Sequence, residues 1–413
     1  MTKLDVLRQY FGHDRFRIAQ EALIDALLSG RDVMGVMPTG AGKSVCYQIP
    51  AMMMYGVTLV VSPLISLMKD QVAALRSKGL PAAYINSSLT ISQYREVLRR
   101  AASGRYKIIY VAPERLDTEE FLRFARETKV ALVAVDEAHC VSQWGQDFRP
   151  SYLKIPGFVN NLSVRPAVGA FTATATAAVK SDMVRLLGLQ NPLSLTTGFD
   201  RPNLYFEVVR PKSKPEYYRE FVVSHSGMCG IIYCATRKTV DALCAELQRS
   251  GIAASRYHAG LEDEERRKNQ DDFISGRAAV MVATNAFGMG IDKPDVRFVV
   301  HYNMPKNLES YYQEAGRAGR DGSQSYCVLM FSNDDIKIGE YFIQSSEKNE
   351  DLTEKERRVL YRRDLNRLDL MTGYCETSGC LRAYILKYFG EQQKGGCGNC
   401  SNCKKAKWWR RLG

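Results

Sequence analysis

Two successive α/β domains, each a parallel sheet with crossover helices, followed by a small helical module rich in cysteine, are the fold this sequence predicts. Three observations carry the prediction: a length of 413 residues, short β-branched apolar runs alternating with amphipathic helical stretches, and thiols gathered near the C-terminal end. One hydrophobic core rarely serves more than about 250–300 residues, so two large domains and a smaller piece are expected.

The apolar runs lie at Val33 to Val36, Val57 to Val61, Lys107 to Val111, Ala131 to Val135 and Ala167 to Phe171. They resume at Gly230 to Tyr233, Ala279 to Ala283 and Arg297 to His301. Continuous apolar runs of this length suit strands buried on both faces of a parallel sheet. The rhythm pauses between Gln190 and Pro215, where Asn191-Pro192, Arg201-Pro202 and Lys212 to Pro215 punctuate the chain. The expected domains are therefore 1–205, 206–343 and 344–413. Ala51 to Leu67 is apolar but broken by Gly56 and Ser62-Pro63, so it reads as a helix end and a buried strand rather than a membrane span.

Composition excludes a disordered or fibrous chain, since hydrophobic residues make up 45% and charged residues 25%. Lys and Arg outnumber Asp and Glu by 57 to 45, a net charge of +12 that suits a polyanionic partner. Eleven cysteines, an odd number spread along a long chain, indicate reduced thiols rather than a secreted disulfide framework. Met1 to Tyr10 has no apolar stretch long enough for a signal peptide, and a cytoplasmic protein, nucleoid-associated in a bacterium, is expected.

Met37-Pro38-Thr39-Gly40-Ala41-Gly42-Lys43-Ser44 follows the first apolar run and precedes a helical stretch, which is the placement of a phosphate loop. Gly40 and Gly42 allow backbone N–H groups to curl around phosphate oxygens, Lys43 neutralises the β- and γ-phosphates, and Ser44 offers a hydroxyl to Mg²⁺. Met37 stands where glycine is usual. Asp136-Glu137-Ala138-His139 directly follows the run Ala131 to Val135. Alone, such a pair serves as readily as a helix cap. Beside a phosphate loop, Asp136 is expected to hold Mg²⁺ and Glu137 to polarise the attacking water.

In the second half, Ser310 to Gly322 carries Gln313, Arg317 and Arg320, the arginines spaced to share one face of a helix. Arginines from a second domain can stabilise transition-state charge and make ATP hydrolysis depend on domain closure. The other reading of the segment is a solvated basic helix end.

Together these motifs resemble those of superfamily 2 helicases and, within them, the RecQ family of DNA helicases, nearly end to end. Phe11-Gly12 with Phe16-Arg17 and Gln20 is similar to the family's adenine motif, which implies that Gln20 reads the adenine edge and Arg17 lies on or near the base; Ile18-Ala19 replaces the usual Pro-Gly. Ser62 to Val72 and Ala112 to Leu116 resemble strand-tracking motifs, and Phe171 to Ala175 the motif coupling hydrolysis to strand contact. Ser142-Gln143-Trp144-Gly145-Gln146-Asp147-Phe148-Arg149-Pro150 resembles the aromatic-rich loop distinctive of RecQ proteins. Trp144 and Phe148 offer stacking faces to single-stranded bases and Arg149 a cation. Ile231 to Val240, Tyr257 to Gly260 and Thr284 to Pro294 resemble the remaining motifs, with Gly288, Gly290 and Asp292 expected near the cleft and His258 readable as a buried structural histidine.

Cys397, Cys400 and Cys403, with one thiol upstream, suit a closed tetrahedral Cys₄ site for one structural Zn²⁺. Cys375 and Cys380 both compete for the fourth place, and the family's module aligns Cys380 ahead of Tyr388-Phe389-Gly390. The resemblance thus implies two RecA-like parallel-sheet domains followed by a helical zinc-binding domain. Its cofactors are ATP, Mg²⁺ and Zn²⁺, and its partner is DNA, single-stranded, 3′-tailed or forked. It implies 3′–5′ unwinding by a monomer in DNA repair and recombination, in reach of the SOS response, with single-strand-binding protein and repair factors nearby and no membrane. Fuller RecQ proteins continue into a winged helix, whereas this sequence stops at Gly413 after the basic, aromatic Lys404 to Arg411. Weakened strand separation with hydrolysis and translocation retained is therefore also expected, alongside two rival readings, an annealing protein and an RNA-directed ATPase.

Overall fold

The structure, a computed structural model, describes every residue except 146, 289–292, 347–352 and 410–413. Gln146, Gly290, Asp292, Arg410 and Arg411 of the sequence reading thus lie outside the described residues. The chain divides into two compact units, Met1–Phe199 and Asp200–Gly413.

The first unit is built on a seven-stranded sheet of β1 (Val33–Val36), β2 (Val57–Val61), β3 (Ala82–Ile85), β4 (Ile108–Val111), β5 (Val130–Val135), β6 (Ala167–Thr172) and β7 (Leu193–Thr196). Their order is β3-β4-β2-β5-β6-β1-β7 and every pairing is parallel. β1, β2, β4 and β6 are buried along their whole length, which is why they appear in the sequence as unbroken apolar runs. Helices cover the faces: Leu23, Val33, Tyr47 and Phe171 meet in the main core, where the Tyr47 and Phe171 rings lie 5.5 Å apart. Each such buried side chain contributes about 1.5–3 kcal/mol relative to exposure. Buried Asp32 ties the base of the sheet together: its carboxylate pairs with Arg165 at 2.7 Å and accepts from the N–H groups of Val168 and Gln190.

The second unit carries β8 (Leu204–Val209), β9 (Cys229–Tyr233), β10 (Ala254–Tyr257), β11 (Val280–Ala283), β12 (Val296–His301) and β13 (Ser325–Met330). This sheet too is wholly parallel, in the order β10-β11-β9-β12-β13-β8. The helices Asn333–Ser346, Glu354–Glu376, Leu381–Tyr388 and Ser401–Trp409 follow and join the same unit. Tyr374 donates to the Tyr311 hydroxyl at 3.2 Å, Phe389 packs on Tyr312, and Glu309 accepts from Tyr388 while facing Arg367.

All eight apolar runs named above are strands. The pause expected between Gln190 and Pro215 is not strand-free, since β7 and β8 both lie in it. β7 is an edge strand whose Ser194 and Thr196 face water, so it lacks the apolar continuity of its neighbours. The chain divides after Phe199 rather than after 205, because buried Arg382 claims residues 200–204 for the second unit: it donates to the Asp200 carboxylate at 2.7 Å and to the carbonyls of Arg201 and Leu204. Among the described residues no helix is long and apolar enough to cross a membrane.

Candidate functional site

Three adjacent strands of the first sheet, β5-β6-β1, deliver their C-terminal ends to one place. β1 leads into the phosphate loop, β5 into Asp136 and Glu137, and β6 into Thr172 to Thr174. The loop turns at Gly40 and Gly42, whose φ values of 84° and 81° lie in the left-handed region that glycine adopts without cost, and the helix Lys43–Met53 starts directly after it. A Cβ at Gly42 would meet the Gln20 amide, so that position also needs the missing side chain.

Gln20 is buried against the loop: its Nε2 donates to the carbonyls of Ala41 (3.3 Å) and Gly42 (3.1 Å), and its Oε1 accepts from the Arg17 N–H. The Arg17 guanidinium donates to the Gly40 carbonyl. Both adenine-motif residues are thus joined to the loop backbone. Lys43 Nζ donates to the Met37 carbonyl at 3.2 Å, and Ser44 is the second residue of the helix that follows the loop. Met37, the departure from the usual glycine, is fully buried in the core, which explains an apolar residue there. Thr39 sits in the turn before Gly40.

Asp136 is buried, and burial together with the neighbouring Glu137 carboxylate pushes its pKa up to about 7, against the pull of Lys43. The Asp136 carboxylate, directly after β5, and the Ser44 hydroxyl, directly after the phosphate loop, are oxygen donors of the kind Mg²⁺ takes together with waters and substrate phosphates. Glu137 adopts φ 47°, ψ 46°, a left-handed conformation that costs about 1–3 kcal/mol for a residue with a side chain. It is held there because its N–H donates to Asp136 Oδ1 and its carbonyl accepts from Cys140. His139 links the acids to β6: Nδ1 lies 2.7 Å from Thr172 Oγ1 and 3.3 Å from Glu137 Oε2. Burial works against charge on this ring, and the Cys140 sulfur and Glu137 outweigh it, raising its pKa.

The aromatic loop leaves directly from this site. Trp144 is exposed and Phe148 half-buried. Arg149 is anchored: it donates to the Pro63 carbonyl at 2.7 Å and pairs with Asp147, fastening the loop to the segment after β2. Ser142 donates to Asp182 at 2.7 Å and accepts from the Trp144 N–H. Gly145 is required there, since a Cβ would run into the His139 carbonyl.

In the second unit Gln313 lies on the helix Leu308–Ala315, half-buried. Arg317 and Arg320 do not share a helical face as expected. The helix ends at Ala315, and Gly316 and Gly319, the latter at φ 55°, fold the chain into successive turns. Arg317 is buried and donates to the Gly288 carbonyl. Arg201 bonds the turn itself, donating to the carbonyls of Gly316 (3.3 Å), Ala318 (2.9 Å) and Gly319 (2.9 Å), and Asn203 Nδ2 donates to Gly319 and Ser323. Neither Arg201 nor Asn203 was singled out by sequence, where Arg201-Pro202 reads as linker punctuation. His258, buried, lies 3.0 Å from Asp241, a satisfied histidine.

The sulfurs of Cys380, Cys397, Cys400 and Cys403 all lie within 4.8 Å of one another. The pairs Cys397–Cys403 and Cys380–Cys400 are 4.0 Å apart, close to the roughly 3.8 Å that four thiolates at about 2.3 Å from a tetrahedral Zn²⁺ would show. Burial opposes the Cys380 thiolate, but N–H groups of Ala383 and Cys397 donate to it and bring its pKa down to about 7. The four thiols fit zinc, with no position left for catalysis. Cys375 is not of this group: it is buried in the helix Glu354–Glu376, and burial pushes its thiol far up.

Comparison with known proteins agrees with this layout. Residues 17–182 match the DEAD/DEAH box helicase family, residues 213–322 the helicase conserved C-terminal domain, and residues 333–404 the RecQ zinc-binding family. The chain is 47% identical over 399 residues to the ATP-dependent DNA helicase RecQ of Bacillus subtilis, covering 96% of this chain and 66% of that protein. It is 43% identical to the protein of the same name in Pasteurella multocida, covering 97% of this chain and 62% of the relative. The chain therefore spans under two thirds of the length of these relatives. A solved structure of Mss116p bound to single-stranded RNA and AMP-PNP shares the fold at a TM-score of 0.69 and 16% identity, over 89% of each chain.

Proposed function

This chain belongs to the RecQ family of helicases, and on that premise we propose that it is an ATP-dependent DNA helicase that moves 3′–5′ along single-stranded DNA, in the service of repair and recombination. The observation that supports the reading is the convergence of Lys43, Ser44, Asp136 and Glu137 at the ends of β1 and β5, with the aromatic loop leaving from the same acids.

ATP is the substrate. Gln20 and Arg17 face the base, and the backbone from Thr39 to Gly42 cradles the phosphates with Lys43 as their counter-charge. Glu137 orients a water for attack on the γ-phosphorus, the bond to the β-phosphate oxygen breaks, and ADP and phosphate leave. Ser44 and Asp136 would hold Mg²⁺, which supplies charge neutralisation at the phosphate oxygens. Gln313, Arg317 and Arg320 contribute transition-state stabilisation from the second unit. His139 and Thr172 transmit the state of the acids to β6, while Trp144 and Phe148 stack on bases without regard to sequence and Arg149 fixes their loop. Cys380, Cys397, Cys400 and Cys403 hold one structural Zn²⁺.

The test is unwinding of a forked duplex with a 3′ single-stranded tail under ATP and Mg²⁺, beside a 5′-tailed duplex and a Lys43→Ala control. Separation of the 3′-tailed substrate alone, lost in the control, is expected; separation of the 5′-tailed one would reverse the polarity. The other outcome of the same experiment is a DNA-stimulated translocase with weak unwinding. Hydrolysis stimulated by single-stranded DNA without strand separation would select it, and stimulation by RNA instead would remove the DNA assignment.

A further inference from the structure

Arg201 is a heavily bonded side chain outside the machinery proposed above. Its guanidinium is half-withdrawn from water and spread over three carbonyls, those of Gly316, Ala318 and Gly319. The carbonyls of Gly316 and Ala318 need such a donor, because the helix Leu308–Ala315 has ended and no following turn of helix satisfies them, while the Gly319 carbonyl accepts from the Gly322 N–H and from Asn203 as well. A planar fork with five donors can serve all three at once, which a lysine ammonium cannot do in the same geometry.

The three carbonyls bracket Arg317 and stand just ahead of Arg320. Asn203 braces the same turn from the other side through Gly319 and Ser323. Arg201 and Asn203 are themselves fixed by the C-terminal module: Arg382 grips Asp200, Arg201 and Leu204, and Asn399, between two of the thiols, donates to the carbonyls of Pro202 (2.9 Å) and Leu204 (3.3 Å).

We propose that Arg201 is a positioning residue for ATP hydrolysis, holding the turn Gly316–Gly319 so that Arg317 and Arg320 keep a fixed orientation, with Arg382 and Asn399 bracing Arg201 in turn. The proposal rests on the function assigned above to the two arginines. Arg201 touches neither nucleotide nor DNA in this scheme; its effect passes through the backbone of the turn. Misplacing a stabilising group by about 1 Å costs on the order of 10²-fold in rate, whereas nucleotide affinity is set mostly by the phosphate loop of the first unit.

The experiment measures DNA-stimulated ATP hydrolysis for Arg201→Ala, Arg320→Ala and the double variant, with nucleotide and single-stranded DNA affinities taken separately. Expected is a fall in kcat of about 10²-fold in Arg201→Ala with KM for ATP and DNA affinity nearly unchanged, and a loss in the double variant well short of the product of the two single losses. An unchanged kcat in Arg201→Ala, or losses that multiply in the double variant, would overturn the proposal. If Arg201→Ala fails to fold, Asn203→Ala, which removes a single brace, takes its place under the same criteria. Arg320→Ala at full rate would overturn the role given to that arginine and this proposal with it; a slow Arg320→Ala beside a normal Arg201→Ala overturns this proposal alone.

Discussion

Glu137 shows at the scale of one residue how the site stores conformational strain. Its backbone is left-handed, and the bonds from its own N–H to Asp136 and from Cys140 to its carbonyl hold it there. Glu137→Gln keeps the shape and removes the base, so single-turnover hydrolysis should fall by about 10²–10⁴-fold while nucleotide binding, followed by fluorescence, is retained. Asp32 has no part in the chemistry and should show the opposite pattern. Asp32→Ala strands Arg165, the buried N–H of Val168 and the N–H of Gln190, and should cost about 3 kcal/mol in urea unfolding of the first unit, with residual native protein hydrolysing normally. The phosphate loop and the acids were legible in the sequence because their chemistry is local: a few contiguous residues contain both the glycines and the charges. Arg201 was not, since its partners lie more than a hundred positions away and its neighbours spell an ordinary linker.

At the scale of elements, the strands that announced themselves were those buried on both faces. β3, β7, β8, β10 and β13 escaped because they are short, partly exposed or rich in Tyr, Ser and Arg, as in Ala254–Tyr257 and Ser325–Met330. The arginine segment misled differently: a spacing of three fits a helix, but the helix ends at Ala315, and the left-handed Gly319 and the half-buried Arg201 fork reveal the turn. The aromatic loop is an element whose shape hangs on few atoms. Gly145→Ala would force its Cβ into the His139 carbonyl, so the loop must shift; DNA stimulation of hydrolysis should drop while basal hydrolysis stays within a few-fold. Trp144→Ala should show the same separation of basal from stimulated rate without any change in loop geometry, because it removes the exposed ring alone, worth about 1–3 kcal/mol per stacked base. Equal stimulation in the wild-type chain and Trp144→Ala would remove the ring from the DNA contact.

For the molecule as a whole, the two-sheet plan could be read from length and rhythm, and the thiol cluster from spacing with the family alignment choosing Cys380 over Cys375. What no spacing could tell is that the cysteine module is continuous with the second sheet through Tyr374, Phe389, Tyr388 and Arg382. Cys400→Ser should lower bound zinc, measured by atomic absorption, and reduce the melting temperature of the second unit; a folded variant with full metal would displace Cys400 from the ligand set. One further consequence follows from Cys400 lying in parallel register beside Phe206, with Asn399 bonded to the Leu204 carbonyl and the helix Ser401–Trp409 starting at that point. β8 is the last strand of its sheet, and the thiol knuckle covers the edge that would otherwise present unpaired N–H and carbonyl groups to another chain. The metal-binding module therefore guards solubility as well as shape, and a chelator should turn this protein cloudy, through edge-to-edge association seen by light scattering, before it unfolds the sheet beneath.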